Sequence, residues 1–429
     1  MTEQLKDFLY RYNMHYEQIV MDEAMDAFTA DMQAGINGDV KSMLMIPTYV
    51  GIDGEVPRNK PVIVLDAGGT NFRTATVCFA DNGNAVISNF SKQPMPGTKG
   101  ELSRDEFFNT IAGFIAPFDK LSDTVGFCFS FPTEILPNCD GRLINFNKEV
   151  KVRDMGGQVL GEGINKALEA IGCSKKHFVI INDTVATMLG GIAACPDRDF
   201  DSYIGFILGT GTNTCYVEQC SRIGRLPEVN NGTMAINMES GGFDRFLQGD
   251  IDKQFDATTA NCGDHIFEKM ISGAYQGSVI CMTVKQAAKD GLLSAECAKR
   301  VEAVADFTMR EIDEFCMEPN GDNSIAKLAS TKEDTDVIYG IVDASFERAA
   351  RMVCINLGGI LVHTGCGKDP AKPVCVSAEG TTFYKSVLFR PKLDKYVKEY
   401  LNDRLGYYCE FVKAEDATLV GSAVAGLLN

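Results

Sequence analysis

Two stretches of the chain share one build: an apolar strand, a glycine turn that carries Thr-Asn, and a second strand. They are LDAGGTNFRTATV at 65–77 and LGTGTNTCYVE at 208–218. A repeated supersecondary unit restricts the fold to two similar halves, each turning a hairpin toward a shared ligand. Taken alone, the repeat competes with a chance match.

The first copy carries a further oddity. Strand formers from Val62 to Leu65 run into one acid, Asp66, and then into Gly68, Gly69 and Thr70. A tight hairpin accounts for Gly-Thr. It does not account for a carboxylate at the end of a buried strand. Glycine lets backbone approach a ligand closely, consecutive N–H groups form an anion-binding concavity, and Thr adds a hydroxyl. Phosphate oxygens fit such a turn, and an acid beside them makes sense if Mg²⁺ sits between, directly or through water. A third Gly-Thr turn stands at Gly380-Thr381. Neither G-x-x-x-x-G-K-[ST] nor the three-glycine dinucleotide fingerprint occurs.

Composition narrows the partners. The 429 residues, 45% hydrophobic, suffice for two or three domains with sizeable cores. A net charge of -17 opposes nucleic acid and anionic membrane surfaces. Local backbone N–H groups can still hold a small anion against that field. The 15 cysteines include no C-x-x-C pair, and Cys78, Cys128, Cys215 and Cys375 sit in apolar runs, so they read as reduced core thiols. His15, His177, His265 and His363 each stand alone and read as structural or surface residues rather than metal ligands. DRDFDS at 197–202 starts like a calcium loop but has Ser202 and Leu208 at positions six and twelve, which favours a surface loop. No apolar run reaches the ~20 residues of a membrane span. The acids Glu3, Asp7, Glu17, Asp22, Glu23 and Asp26 argue against a targeting peptide, so a cytoplasmic protein is expected.

Residues 3 to about 34 are predicted to form a helix from Leu5, Phe8, Leu9, Tyr12, Tyr16, Ile19 and Val20, ended by Gly35 and Gly38. A Pro- and Gly-rich connector follows. Strands are expected at about 61–67, 72–80 and 84–90, then further strands alternating with helices. That alternation predicts an α/β protein with central sheets. Asp183, after the apolar run VIIN, either caps a helix from Thr184 or serves as a base; residue type alone does not choose. By itself Glu268 in FEKM reads as a solvated helix charge, and Lys148 as a surface lysine; Glu239, beside glycines, is harder to dismiss.

These residues resemble the hexokinases of the actin-like ATPase superfamily, in family order along most of the chain. MLMIPTYV (43–50) resembles the connector after the N-terminal helix, LDAGGTNFR (65–73) the first phosphate motif, and FSFPTE (129–134) with LINFNKEV (143–150) the sugar loops. VIINDTVATML (179–189) resembles the first connecting motif, FILGTGTNTCYVE (206–218) the second phosphate motif, INMESGGF (236–243) and FEKMISGAY (267–275) further sugar segments, and VSAEGTTFYK (376–385) the adenosine motif. Three segments depart from the family pattern. Asn147-Lys148-Glu149-Val150 stands for Thr-Lys-Gly-Phe, Glu379 for an Asp before Gly380, and EDATLVGSA (415–423) is a reduced second connecting motif. The zinc cysteine cluster of the repressor/kinase sugar kinases is absent.

The resemblance implies two actin-like (ribonuclease H-like) α/β domains with central mixed sheets and an intervening cleft. The smaller would span 61–184 with the C-terminal helix 413–429, the larger 1–60 and 185–412. It implies an ATP-dependent hexokinase acting on the 6-hydroxyl of glucose and other hexoses, with Asp183 as general base and Lys148 assisting. Ser130, Phe131, Asn147, Lys148, Asn182, Asn213, Glu239 and Glu268 would line the sugar site. Gly69, Thr70, Asn71 and Arg73 would face phosphates from one domain, Thr210 and Gly211 from the other, and Gly380 and Thr381 the adenosine side. Asp66 would hold Mg²⁺ through water. A sugar sensor with little catalysis, or an actin-like ATPase or chaperone without a sugar, are the competing classes. The filled catalytic positions oppose the first, and Glu239, Glu268 and Lys148 would be idle in the second.

Overall fold

The computed structural model describes residues 1–146 and 150–429, so Asn147 and Lys148 lie outside the described residues. The single N-terminal helix expected from periodicity is broken. Helices Glu3–Arg11 and Met21–Ile36 flank a short turn, Tyr16–Gln18. The break is local: Asn13 takes a left-handed conformation (φ 56°), and His15 caps the turn by accepting from the Glu17 N–H at 3.3 Å. Periodicity did not register it because the apolar side chains on both sides enter the same core.

In chain order the strands are β1 (Ile46–Pro47), β2 (Val62–Ala67), β3 (Asn71–Phe79), β4 (Ala85–Pro94), β5 (Thr124–Phe129), β6 (Thr133–Ile135), β7 (Gly141–Leu143), β8 (His177–Ile181), β9 (Tyr203–Leu208), β10 (Thr212–Gln219), β11 (Thr233–Asn237), β12 (Val374–Glu379) and β13 (Cys409–Val412). One sheet runs β4-β3-β2-β5-β8 and the other β1-β11-β10-β9-β12-β13, with β6 and β7 a separate hairpin. Both sheets follow one plan. An antiparallel meander (β2, β3, β4; β9, β10, β11) supplies its first strand to a parallel set (β2, β5, β8; β9, β12, β13). The two glycine turns noted in the sequence therefore occupy equivalent places, between β2 and β3 and between β9 and β10.

Three large apolar clusters organise the packing. The largest gathers the N-terminal helices, the helices after residue 250 and the long helix Lys332–Thr364 behind the six-stranded sheet. A second backs the five-stranded sheet with helices Arg104–Ile115 and Leu160–Ala170. The third lies between the sheets and is built by helices Asp183–Ala194 and Ala417–Leu428. The first of these two packs on β9 and β12, the second on β2 and β5, and the two pack on each other. Their crossing is close because it is glycine-lined: a Cβ at Gly421 would overlap the Ala186 carbonyl, and one at Gly190 would lie 2.8 Å from that of Ala417. Every cysteine is free, and Cys262 is the exposed one.

Candidate active site

Parallel ladders bring strand ends into line, and ligands in open α/β sheets bind outside those carboxyl ends. In the smaller sheet Asp66 is in register with Cys128, and Cys128 with Ile181. Chain continuation from these positions delivers the Gly68–Thr70 turn, Ser130 and the Asn182-Asp183 pair to one edge. The Cys128 thiol registers the crowding. Burial pushes it well up, and the neighbouring Asp66 and Asp183 carboxylates push it further.

Asp183 opens the helix that ends at Ala194, so it occupies the first helical position and Asn182 is the cap. The Asn182 Oδ1 accepts from the Thr184 N–H at 2.8 Å. The capping role considered for Asp183 is thus filled by its neighbour. The Asp183 Oδ1 accepts from the Thr184 hydroxyl at 3.4 Å, and the carboxylate sits at the helix N-terminus, where the dipole favours its charge.

A cavity of about 390 Å³ opens in front of this edge, walled by Ser130, Phe131, Asn182, Asn237, Glu239 and His265, with the 44–48 connector closing one side. The volume suits a small ligand. Phe131 belongs to an aromatic group with Phe129 and Phe146, at ring distances of 5.0 and 5.1 Å. The Ser130 N–H is tied to the Ala67 carbonyl at 3.1 Å.

Glu239 enters this cavity from a left-handed backbone (φ 54°), unusual for a glutamate. Amide groups of Asn237 and Asn213 donate to its Oε1 at 2.8 and 3.2 Å, and Asn213 also donates to Asn237 at 2.8 Å. Burial still raises the Glu239 carboxyl above its ordinary range, with Asp183 and Glu268 adding repulsion against the Asn237 hydrogen bond. Strained backbone and a destabilised carboxylate in one residue mark a functional position. Glu268 is not a solvated helix charge. Its Oε2 accepts from the Thr212 N–H at 2.9 Å, and it can do so only because position 211 is glycine: a Cβ there would lie 2.5 Å from that oxygen.

The first phosphate-type turn is bare. The Gly68 N–H bonds the Asn71 carbonyl at 3.0 Å, the Met95 N–H bonds Thr70 at 3.0 Å, and Thr70 and Asn71 are exposed next to Gly69. Arg73 pairs with Asp66, its register partner on β2, and donates to Thr418 of the C-terminal helix at 2.8 Å. The second turn is clamped from behind. Gly273 donates to Gly209 at 2.8 Å and Ala274 to Thr210 at 3.1 Å, while the Thr382 hydroxyl donates to Gly209 at 3.2 Å. Gly380 (φ 116°) presses onto Leu208, where any Cβ would collide with its carbonyl, so Thr381 stands directly beside the turn.

Asp66 is the candidate metal residue. Both described contacts of its carboxyl, from Arg73 and Thr418, fall on Oδ2. A Mg²⁺ on nearby phosphates fits if it reaches Asp66 through water and leaves Arg73 in place. Among the described residues no group of three His, Cys, Asp or Glu could hold a metal on its own.

Sequence reasoning missed Asn237, His265 and Thr418. Asn237 lies inside the INMESGGF segment, and its amide positions Glu239. His265 stands alone in the sequence, yet it lines the cavity with a left-handed backbone (φ 53°). Its proximity to Glu268 was the available signal. Nothing local announces Thr418, because only the folded C-terminal helix brings it to Asp66.

Two family profiles, both described as hexokinase, match residues 4–193 and 203–428. Horse hexokinase-2 is 28% identical over 442 residues, covering 97% of this chain and 47% of its own length. Arabidopsis thaliana hexokinase-1 is 28% identical over 435 residues, covering 94% of this chain and 86% of its own length. The chain thus spans about half the length of the mammalian relatives it matches and most of the plant one. Among solved structures, hexokinase from Schistosoma mansoni complexed with glucose superposes with a TM-score of 0.76 at 21% identity, over 99% of this chain and 98% of that one. A second hexokinase crystal structure gives 0.79 at 18% identity over the whole of both chains. These likenesses establish the two-domain fold.

Proposed function

Because the chain belongs to the hexokinase family, we propose that it transfers the γ-phosphoryl group of ATP to the 6-hydroxyl of glucose and related hexoses. The observation that carries the reading is that Glu239 lines the cavity beside Asn182, with the Asp183 and Glu268 carboxylates close enough to act on its charge. An actin-like ATPase without a sugar would have no use for that trio of acids.

In this reading Glu239 and Glu268 accept hydrogen bonds from ring hydroxyls, which discriminates sharply against sugars that lack them. Asn213 and Asn182 complete the sugar wall with Ser130 and Phe131, and Asn147 and Lys148 join from their segment. Asp183 accepts the 6-hydroxyl proton as the oxygen attacks, at the scale expected of general bases. Gly69, Thr70 and Asn71 meet the phosphates from the smaller domain and Thr210 and Gly211 from the larger, with Gly380 and Thr381 toward the adenosine. Arg73 and Thr418 hold the Asp66 carboxylate in place. Mg²⁺, when bound, neutralises charge on the phosphates. The domains divide as 61–184 with 413–429, against the remainder, and a hexose bridging them closes the cleft. The setting proposed for this activity is glycolysis in the cytoplasm. No helix of the described residues is long and apolar enough to cross a membrane.

A coupled assay of ATP with a panel of hexoses tests the proposal. Turnover with glucose supports it. Glucose binding without turnover would favour a sensor, and ATP hydrolysis indifferent to every sugar would favour an ATPase.

A further inference from the structure

The long helix Lys332–Thr364 runs behind the six-stranded sheet, and a polar side chain, Asn356, sits deep in its buried face. Asn356 is fully buried, as are its apolar neighbours Ile355 and Leu357. Its Nδ2 donates to the Thr214 hydroxyl of β10 at 2.8 Å. Its Oδ1 is shut off from solvent and has no hydrogen-bond partner among the described residues. Burying an acceptor without a donor costs free energy, so an apolar side chain of the same shape would serve packing at least as well. The amide needs a reason other than packing.

That reason lies further along the same chain of hydrogen bonds, at Glu239. Thr214 shares a hydrogen bond with the Ser240 hydroxyl at 2.9 Å, and both residues are fully buried. The Thr214 carbonyl accepts from the Met238 N–H at 3.0 Å. The Oδ1 of Asn213, beside it on β10, accepts from the Thr214 N–H at 2.7 Å and from the Ser240 N–H at 3.3 Å. Both chain neighbours of Glu239 are thus tied to Asn213 and Thr214, and Glu239 is held between them in its left-handed backbone (φ 54°). Such a conformation persists only where its surroundings over-determine it. We propose that Asn356 is a positioning residue for Glu239: through Thr214 and Ser240 it fixes the carboxylate where the hydroxyls of the hexose meet it. This rests on the reading of Glu239 as a sugar acceptor.

Asn356 is not part of the cavity wall, so it acts on the sugar through the turn that carries Glu239. The second phosphate-type turn is held separately, by Gly273, Ala274 and Thr382. Loss of the Asn356 amide should therefore loosen the sugar side of the cleft and leave the nucleotide side intact. It also removes the unpartnered Oδ1, so sugar affinity and the stability of the apo chain should move apart. A residue that served packing alone would move them together.

The test uses the full chain. Asn356→Leu keeps the shape of the side chain and removes the amide. Thr214→Val breaks the same chain of bonds from another element, should the first variant misfold, and Thr214→Ser restores the hydroxyl. By calorimetry, Asn356→Leu and Thr214→Val should each bind glucose about tenfold more weakly, and ATP within about twofold of wild type. Thr214→Ser should bind glucose within about twofold of wild type, and the melting temperature of Asn356→Leu should not fall. The double variant should lose no more than about twofold beyond Thr214→Val, because both changes act on one network. Glucose affinity unchanged within twofold in both single variants overturns the proposal. So does a joint fall of glucose affinity, ATP affinity and melting temperature in Asn356→Leu, which would make the residue structural only. Hydrogen exchange gives a readout that needs no sugar: the Ser240 amide should lose protection about tenfold in Asn356→Leu. If wild type binds no hexose, the hexokinase reading falls, and Ser240 protection decides whether Asn356 holds the turn: a loss upholds it and no change overturns it.

Discussion

At the residue scale, the acids of the cleft are set to different tasks by their environments. Asp183 rests on a helix N-terminus, and Asp183→Ala should lower kcat at least ~10²-fold, the usual scale for a lost general base. An activity within threefold of wild type in the coupled assay would remove it from the mechanism. Glu239 and Glu268 should matter to sugar far more than to ATP. Changing either to Gln removes a charge-assisted acceptor, roughly 1.5–3 kcal/mol, and titration calorimetry with glucose reads the loss. Glu239 also carries a stability signature. Its folded pKa is raised, by burial first and by Asp183 and Glu268 second. The folded state thus holds the proton more tightly than the unfolded chain. The contribution of Glu239 is complete below its unfolded pKa and declines as pH rises through the folded one. At neutral pH the charge opposes folding, so Glu239→Gln should raise the apo melting temperature while shrinking the glucose-induced shift. A lower apo melting temperature in thermal scans would contradict this reading.

At the element scale, the glycines that fit a phosphate turn also fit helix crossings and side-chain contacts. Gly211→Ala should act as a sugar-site mutation, because its methyl would stand 2.5 Å from the Glu268 oxygen that holds the Thr212 N–H. A glucose affinity unchanged by calorimetry would show that Glu268 can swing away without loss. At the crossing of helices Asp183–Ala194 and Ala417–Leu428, Gly421→Ala forces a methyl into the Ala186 carbonyl. Overpacking of this kind costs roughly 1–3 kcal/mol, measurable by denaturant unfolding. Because helix Asp183–Ala194 begins with Asp183, the same change should lower kcat. Gly421 belongs to the segment that departs from the second connecting motif, so the crossing keeps its small residues although the motif is reduced.

At the scale of the whole molecule, the site is divided between two sheets. Asp66 lies in the smaller sheet and Asp183 two residues beyond its strand β8, while Thr210, Asn213, Glu239 and Glu268 come from the larger half. In the proposed reaction a hexose bridging them would supply binding energy for closure, which would exclude water from the phosphoryl group. Small-angle scattering should show glucose reducing the radius of gyration. Xylose, lacking the sixth carbon, should close the cleft yet leave room for a water, and so raise ATP hydrolysis several-fold, roughly 1 kcal/mol of barrier. Sugar binding with unchanged scattering and unstimulated hydrolysis would exclude closure.

Local chemistry wrote much of this into the chain. The apolar run into Asp66, the Gly-Thr-Asn turns and the segments around Asp183, Glu239 and Glu268 are contiguous, so their strands and turns were legible, as was the likeness of hairpin β2–β3 to hairpin β9–β10. Whatever depended on meeting a distant partner was not. The break of the N-terminal helix at Asn13 was hidden because the apolar side chains on both sides serve one core. His265 moved from an anonymous histidine to the cavity wall, and Thr418 reached Asp66 from 352 residues away. Sequence spacing specifies which atoms a turn can offer. Only packing decides which of them are buried, which are left without a partner, and which face the same cavity.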